Sequence, residues 1–323
     1  MQHNYKIPDS TKWTGRTSGE ELYLHEKVVC LPAEKISGKS DVKKSFALLG
    51  YACDEGVRRN HGRVGAIEGP DAIRTQLGKL ANHLDPKTNL WDIGDITCTD
   101  RDMEASQKGL KEKVLQLLHQ GAFPLLLGGG HDIAYGHYSG LRTFFSPKTT
   151  IGIINFDAHF DLRSSDHGSN SGTPFYQIAE DSKKENIPFH YLCLGIRQDA
   201  NSKTLYSTAK NLDVSYIKKA LFSRNHFQKV SEVLESFLTK VDKVYVTIDL
   251  DGFSSAYAPG VSAASPMGYT PELVFDCLRY IIDSKKLVSA DIAELNPKYD
   301  QDDQTAKLAA SLLYFIMHKV ALL

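Results

Sequence analysis

Short apolar runs recur along this chain of 323 residues, and amphipathic segments with helical spacing separate them. That alternation constrains the fold more than any other feature. The run Ile151-Gly152-Ile153-Ile154 reads as a strand buried on both faces. Comparable runs lie at 45–51, 122–127, 150–156, 190–195, 243–250 and 287–293. Helices are expected from Gly69 onward and at 103–120, 132–142, 201–210, 226–240, 270–283 and 303–320, with Pro70 suited to a first helical turn. Strands alternating with helices imply an α/β fold, a mainly parallel sheet covered on both sides. Residues 1–44 are polar and mixed, and read as an arm packed on the domain rather than part of its sheet. Residues 45–323 then form one domain, with no internal repeat or Pro/Ser-rich linker.

Charge and cysteine usage narrow the function classes. The formal net charge is -1 and no basic block stands out, which argues against nucleic acid or an anionic membrane surface as partner. No apolar stretch approaches the roughly 20 residues a membrane span needs. The five cysteines are widely separated, without CxxC, and read as reduced thiols. The start, MQHNYKIPDSTKW, lacks the basic-then-apolar layout of a signal peptide. A cytoplasmic protein acting on a small molecule is expected.

Three strand ends carry residues that a buried strand should not. After PLLLGGG come His131 and Asp132; after IGIINF come Asp157, His159 and Asp161; after VYVTI come Asp249 and Asp251. In open parallel sheets, ligands bind beyond the carboxyl ends of the strands. Extended geometry would place Asp157 and His159 on one face, and likewise Asp249 and Asp251, with Asp161 joining if the extension persists. Taken singly, such pairs read as caps or turns. Converging, four carboxylates and two imidazoles repel one another unless cations neutralise them, and two divalent ions match the charge. Oxygen and imidazole donors without thiolate suit Mn²⁺ better than structural zinc. Adjacent divalent ions hold a bridging water, lower its pKa and deliver hydroxide to a polarised carbon. GGG before His131 is not a GxGxxG fingerprint, so no dinucleotide site is supported.

These residues resemble the ureohydrolase (arginase/agmatinase) superfamily. GGGHD, DAHFD and TIDLD match its Gly-Gly-x-His, Asp-Ala-His-x-Asp and Ser/Thr-x-Asp-x-Asp marks in order, and GPDAIR, GIR, APG and DIAELNP extend the match. The resemblance implies a three-layer α/β/α sandwich around an eight-stranded parallel sheet, with two Mn²⁺ ions per subunit. One ion would be held by His131, Asp157, Asp161 and Asp249, the other by Asp157, His159, Asp249 and Asp251. Homo-oligomers are common among such proteins. Within the superfamily, WTGR, CDEGVRRNHGRVGA, SGTPF, YLCLGI and TIDLDGFSSAYAPGVSA are most similar to the branch that hydrolyses N-formimidoyl-L-glutamate to glutamate and formamide. Alternatives are a urea-releasing hydrolase of agmatine or a guanidino acid, and a non-catalytic metal-binding protein of the same fold.

The resemblance also indicates how a substrate would be held. The superfamily attacks a planar cationic carbon, which wants a carboxylate able to accept two hydrogen bonds, and Glu294 matches that role. Asp291, out of phase with it, is expected to have a structural partner. Formimidoylglutamate brings two carboxylates, so its pocket should contain arginine. Arg163 stands two residues past Asp161, where arginases place an asparagine, and Arg59 and Asn201 are further candidate contacts. Arg58 and Arg63 share the RRNHGR loop, and Asp199 lies out of step with the acid that arginases place after GIR. Ser171 stands where arginases carry a histidine, which leaves proton transfer to Asp161, to metal-bound water or to His167.

Overall fold

The computed structural model describes residues 4–36 and 42–323. Among them are ten strands: β1 (Tyr5–Lys6), β2 (Val29–Cys30), β3 (Lys44–Ala52), β4 (Thr88–Thr97), β5 (Phe123–Leu127), β6 (Ile151–Phe156), β7 (His190–Ile196), β8 (Ser215–Lys218), β9 (Lys243–Asp249) and β10 (Leu287–Ala293). They form one sheet in the order β1-β4-β3-β5-β10-β9-β6-β7-β8, with β2 also on β4. Every pairing is parallel except β1 with β4. The eight longer strands are the parallel sheet that the resemblance implies.

The helices are α1 (Leu24–Lys27), α2 (Glu55–Arg59), α3 (Gly69–Leu77), α4 (Met103–His119), α5 (Ile133–Phe144), α6 (Pro174–Lys184), α7 (Lys203–Asn211), α8 (Phe227–Leu238), α9 (Pro271–Asp283) and α10 (Gln304–Ala321). One core joins the sheet to α3, α8, α9 and α10 through residues such as Ile73, Leu234, Ile281 and Ile316. A second, on the other face, takes in α4, α5, α6 and α7 through Leu110, Leu141, Ile178 and Leu205. Helix starts follow the sequence: Pro70, Pro174 and Pro271 occupy first turns, where a missing N–H costs nothing. The Asp102 carboxylate caps α4 by accepting from Ala105 N–H at 2.9 Å. No helix among the described residues is long and apolar enough to cross a membrane.

The expectation that the N-terminal arm stays out of the sheet is corrected: β1 and β2 both pair with β4. The arm is also tied by a side chain, since Trp13 Nε1 donates to Asp92 Oδ2 at 2.7 Å. Asp92 and Asp95 lie buried on β4 because Arg74 of α3 reaches both, at 3.1 and 2.7 Å.

The strand order carries the functional consequence. β5, β10, β9 and β6 are adjacent, so the segments leaving their carboxyl ends, which carry His131, Glu294, Asp249 and Asp157, emerge side by side.

Candidate metal centre

Between β5 and His131 the chain passes through Gly128-Gly129-Gly130 because nothing larger fits. A Cβ on Gly129 would lie 1.9 Å from the Cys53 carbonyl oxygen, and one on Gly128 would lie 2.4 Å from that of Ile292. The backbone is pinned instead: Gly128 N–H donates to Ile292 O at 2.7 Å, Gly130 N–H to Cys53 O at 2.9 Å, and Glu294 N–H to Gly129 O at 2.8 Å. These glycines mark close approach of three chain segments, not a flexible turn. His131 N–H then donates to Glu294 Oε1 at 2.9 Å.

The extended geometry expected after β6 and β9 does not persist. Asp157 Oδ1 accepts from His159 N–H at 2.6 Å, and Asp249 Oδ1 accepts from Asp251 N–H at 2.8 Å. Each leading aspartate therefore closes a tight turn two residues long. Residues 250–252 form a 3₁₀ turn, and Asp161 adopts a left-handed backbone with φ of 47°. Turns, rather than strand alternation, bring the paired side chains together.

Two groups result. His131 Nδ1 lies 3.3, 2.9 and 3.1 Å from the Oδ2 atoms of Asp157, Asp161 and Asp249. His159 Nδ1 lies 3.4 Å from Asp157 Oδ1 and 3.3 Å from Asp251 Oδ2. Asp157 belongs to both groups, one oxygen to each, so it is the residue placed to bridge two cations. Asp249 Oδ2 faces His131, and its Oδ1, like Asp157 Oδ1, accepts a single amide N–H from two residues on, which leaves a lone pair on that oxygen.

The donor chemistry fits cations. His131 Nε2 sits 3.0 Å from Thr247 Oγ1, and that hydroxyl donates to Asp291 Oδ1 at 2.5 Å. A hydroxyl has one proton, so Nε2 must carry the proton between His131 and Thr247. The buried Nδ1 is then left with a lone pair facing carboxylate oxygens, and it has no hydrogen-bond partner. A positive charge at Nδ1 reconciles these atoms: a metal cation, or a proton where no cation is bound. The titration behaviour agrees. Burial opposes the charged form of His131, but Asp157, Asp161 and Asp249 outweigh it and raise its pKa. Burial pushes Asp249 well above the usual carboxylate range, reinforced by Asp251 and Asp157. Glu294 is pushed up to about 8 by burial and then by Asp251.

A cavity of about 200 Å³ opens onto both groups, and its walls include Asn60, Arg163, Ser171, Ser262 and Glu294. Arg163 supplies the guanidinium there, exposed and without a side-chain hydrogen bond or ion pair among the described residues. Glu294 holds a left-handed backbone, φ 68°, and keeps one carboxylate oxygen on the His131 amide.

Two expected substrate contacts are not among the residues that line this cavity. Arg59 lies outside this cavity, bound to Glu55 at 3.0 Å and Glu104 at 2.6 Å. Asn201 is spent on the ligand-bearing loop: its Oδ1 accepts from Phe160 N–H at 3.0 Å, and its Nδ2 donates to Ala158 O and Arg197 O at 2.8 Å. The other loop arginines are engaged too. Arg58 pairs with Glu55, while Arg63 donates to Val261 O at 2.7 Å and stacks on Tyr299 at 3.9 Å. Asp199 pairs with Arg197 at 2.5 Å, and His167 is exposed outside the cavity. Ser171 lines the cavity and accepts from Asn60 Nδ2 at 3.2 Å. Sequence reasoning missed Thr247; its signal was a polar residue two positions before Asp249 in a buried strand, hence on the same face. Asp291 has the structural partners expected of it, Thr247, Tyr245 and His137.

Comparison with known proteins matches this arrangement. The chain is 42% identical over 314 residues to a formimidoylglutamase of Aeromonas salmonicida, covering 96% of this chain and 98% of that one. Its fold is similar to that of formimidoylglutamase from Bacillus subtilis, with TM-score 0.81, 24% identity and coverage of 96% and 95%. A Trypanosoma cruzi formiminoglutamase solved with Mn²⁺ matches with TM-score 0.75, 25% identity and coverage of 90% and 98%. The profile of the arginase family spans residues 44–318, and on that match and these relatives the chain belongs to the arginase family.

Proposed function

We propose that this chain hydrolyses N-formimidoyl-L-glutamate to L-glutamate and formamide, a step of histidine degradation, at a pair of Mn²⁺ ions. The carrying observation is His131 Nδ1, whose lone pair is aimed at the carboxylates of Asp157, Asp161 and Asp249 in a cavity that also holds the unpartnered Arg163. His131, Asp157, Asp161 and Asp249 would hold one ion, and Asp157, His159 and Asp251, with Asp249 shared, the other. Oxygen and imidazole donors suit Mn²⁺. The relatives that carry the formimidoylglutamase name, about 40% identical over nearly the whole chain, support the substrate.

When bound, the metal pair lowers the pKa of water and so supplies a nucleophile at neutral pH. Glu294, anchored by the His131 amide, accepts the N–H donors of the substrate's amidinium and turns its carbon toward the metal groups. Arg163 takes a substrate carboxylate. Asp161, beside His131, receives the proton of the attacking water and returns it to the departing nitrogen of glutamate. The new C–O bond and the broken C–N bond leave formamide and glutamate. On this reading the protein is a cytoplasmic homo-oligomer, with residues 45–323 as its catalytic domain.

The site is tested by Asp249→Asn. That change removes a charged oxygen facing His131 while keeping its shape, so both bound manganese and turnover should fall at least tenfold. Wild-type metal content together with wild-type turnover would place the chemistry elsewhere.

A further inference from the structure

Beyond Phe156 the sheet runs out beside the metal groups. β6 pairs with β7 as far as Phe156 and Leu194, and two more backbone bonds follow: Asp157 N–H to Leu194 O and Arg197 N–H to Ala158 O, both at 3.0 Å. Past that point the side chain of Asn201 takes over as partner. Its Oδ1 accepts from Phe160 N–H at 3.0 Å, and its Nδ2 donates to Ala158 O and to Arg197 O, both at 2.8 Å. A peptide N–H can only donate and a carbonyl can only accept, so the amide has one orientation and both of its donors are used. Asn201 is 7% exposed. A buried side-chain amide thus stands where the peptide group of another strand would stand.

The residues that this amide holds alternate with the candidate ligands. Ala158 and Phe160 separate Asp157, His159 and Asp161, and Asp161 follows Phe160 with its left-handed backbone, φ 47°. A non-glycine residue is strained there and persists only where its surroundings over-determine it. Phe160 is fixed three times over. Asn201 takes its N–H, the Tyr191 hydroxyl donates to its carbonyl at 3.0 Å, and its ring packs against those of Tyr206 and Tyr216, each centroid 5.1 Å away. The same amide reaches Arg197 O, in the segment whose Ala200 lines the substrate cavity. We propose that Asn201 is a positioning residue that locks the turn 157–161 to the cavity wall at Ala200, so that cation retention and substrate placement depend on one buried amide. Without it, Phe160 N–H loses its acceptor and two carbonyls lose a donor, in a setting where unmade hydrogen bonds are costly. The turn then relaxes, and Asp161 leaves its place beside His131. All three polar contacts of Asn201 are to backbone, so it acts through the turn.

The role rests on the reading of Asp157, His159 and Asp161 as metal ligands, and the test separates the two. Asn201→Asp keeps an acceptor for Phe160 N–H but turns an oxygen onto two carbonyl oxygens. Its added charge alone would tighten cation binding, so weaker binding reports on the turn. Mn²⁺ titration of the folded variant should show affinity lowered about tenfold, as for the loss of an outer-shell partner. At saturating Mn²⁺ the KM for N-formimidoyl-L-glutamate should rise severalfold. Electron paramagnetic resonance with two equivalents of Mn²⁺ should show the spin-coupled signal of the wild type giving way to that of isolated ions. Asn201→Leu, which removes the amide without adding charge, should lose affinity likewise. Asp249→Asn, on β9 rather than on this turn, is the reference. Loss of manganese in Asp249→Asn, with wild-type affinity and spectrum in the Asn201 variants, overturns the positioning role and leaves the metal reading standing. Wild-type affinity in all three overturns both. A lower melting temperature with unchanged Mn²⁺ affinity would mark a merely structural amide and also overturns the proposal.

Discussion

Arg163 is the one arginine among the residues that line the cavity. The neighbouring arginines are paired with Glu55 and Glu104 or hydrogen-bonded to backbone carbonyls, whereas Arg163 has no such partner among the described residues. A hydrogen-bonded pair with a carboxylate is worth about 1.5–3 kcal/mol, so Arg163→Gln should raise KM for formimidoylglutamate on the order of 10–100-fold. Manganese content should not change, and steady-state kinetics with metal analysis reads both; an unaltered KM would remove Arg163 from the substrate site. The metal residues have their own signature. His131, His159, Asp161 and Asp249 all have raised pKa values, and Glu294 stands at about 8, so without a divalent ion the cluster retains protons near neutrality. Cation uptake at pH 7 should therefore release protons, and affinity should rise with pH as the raised ligand groups lose theirs. Calorimetry in buffers of different ionisation enthalpy measures this, and identical heats in every buffer would contradict it. The six motif residues were legible because the chemistry demands their types. The positions of Arg59 and Asn201 were not, because whether a polar group is spent on a neighbour depends on contacts from distant segments.

At the scale of elements, the strands that escaped sequence reading are those whose pattern is broken. β4 reads TNLWDIGDIT, and two aspartates within it disguise a buried strand. Their presence makes sense only once Arg74 arrives from α3, itself only 2% exposed. Replacing it by methionine should leave two buried carboxylates without their cation and destabilise the fold by about 3–5 kcal/mol. Urea unfolding measures that loss, and a wild-type midpoint would mean the acids find another partner. β8 is a four-residue edge strand with a partly exposed face, too short to show a period. α6 carries polar residues through EDSKK and was passed over for that reason. The strands β3, β5, β6, β7, β9 and β10 were readable because burial on both faces leaves each of them mostly apolar. The arm's two short strands gave no signal, since pairing of β1 and β2 is decided by the open edge of β4.

For the molecule as a whole, the strand order does what the sequence order does not. His131, Asp157, Asp249 and Glu294 are spread over more than half the chain, yet they leave four adjacent strands at one end of the sheet. Glycines let the first of these segments pass between its neighbours, aspartate-closed turns aim the next two, and a left-handed glutamate completes the cavity floor. The sheet thus gathers a metal-binding end and a cationic end into one small space, which points to a substrate with an amidine at one end and a carboxylate at the other. Product identity tests this most directly. The Mn²⁺-loaded protein should be given N-formimidoyl-L-glutamate, agmatine and guanidino acids in parallel, with formamide, urea and ammonia measured separately. The account predicts formamide in equal amount to glutamate and no urea from the guanidino compounds; urea release from any of them, or ammonia with formylglutamate, would contradict it.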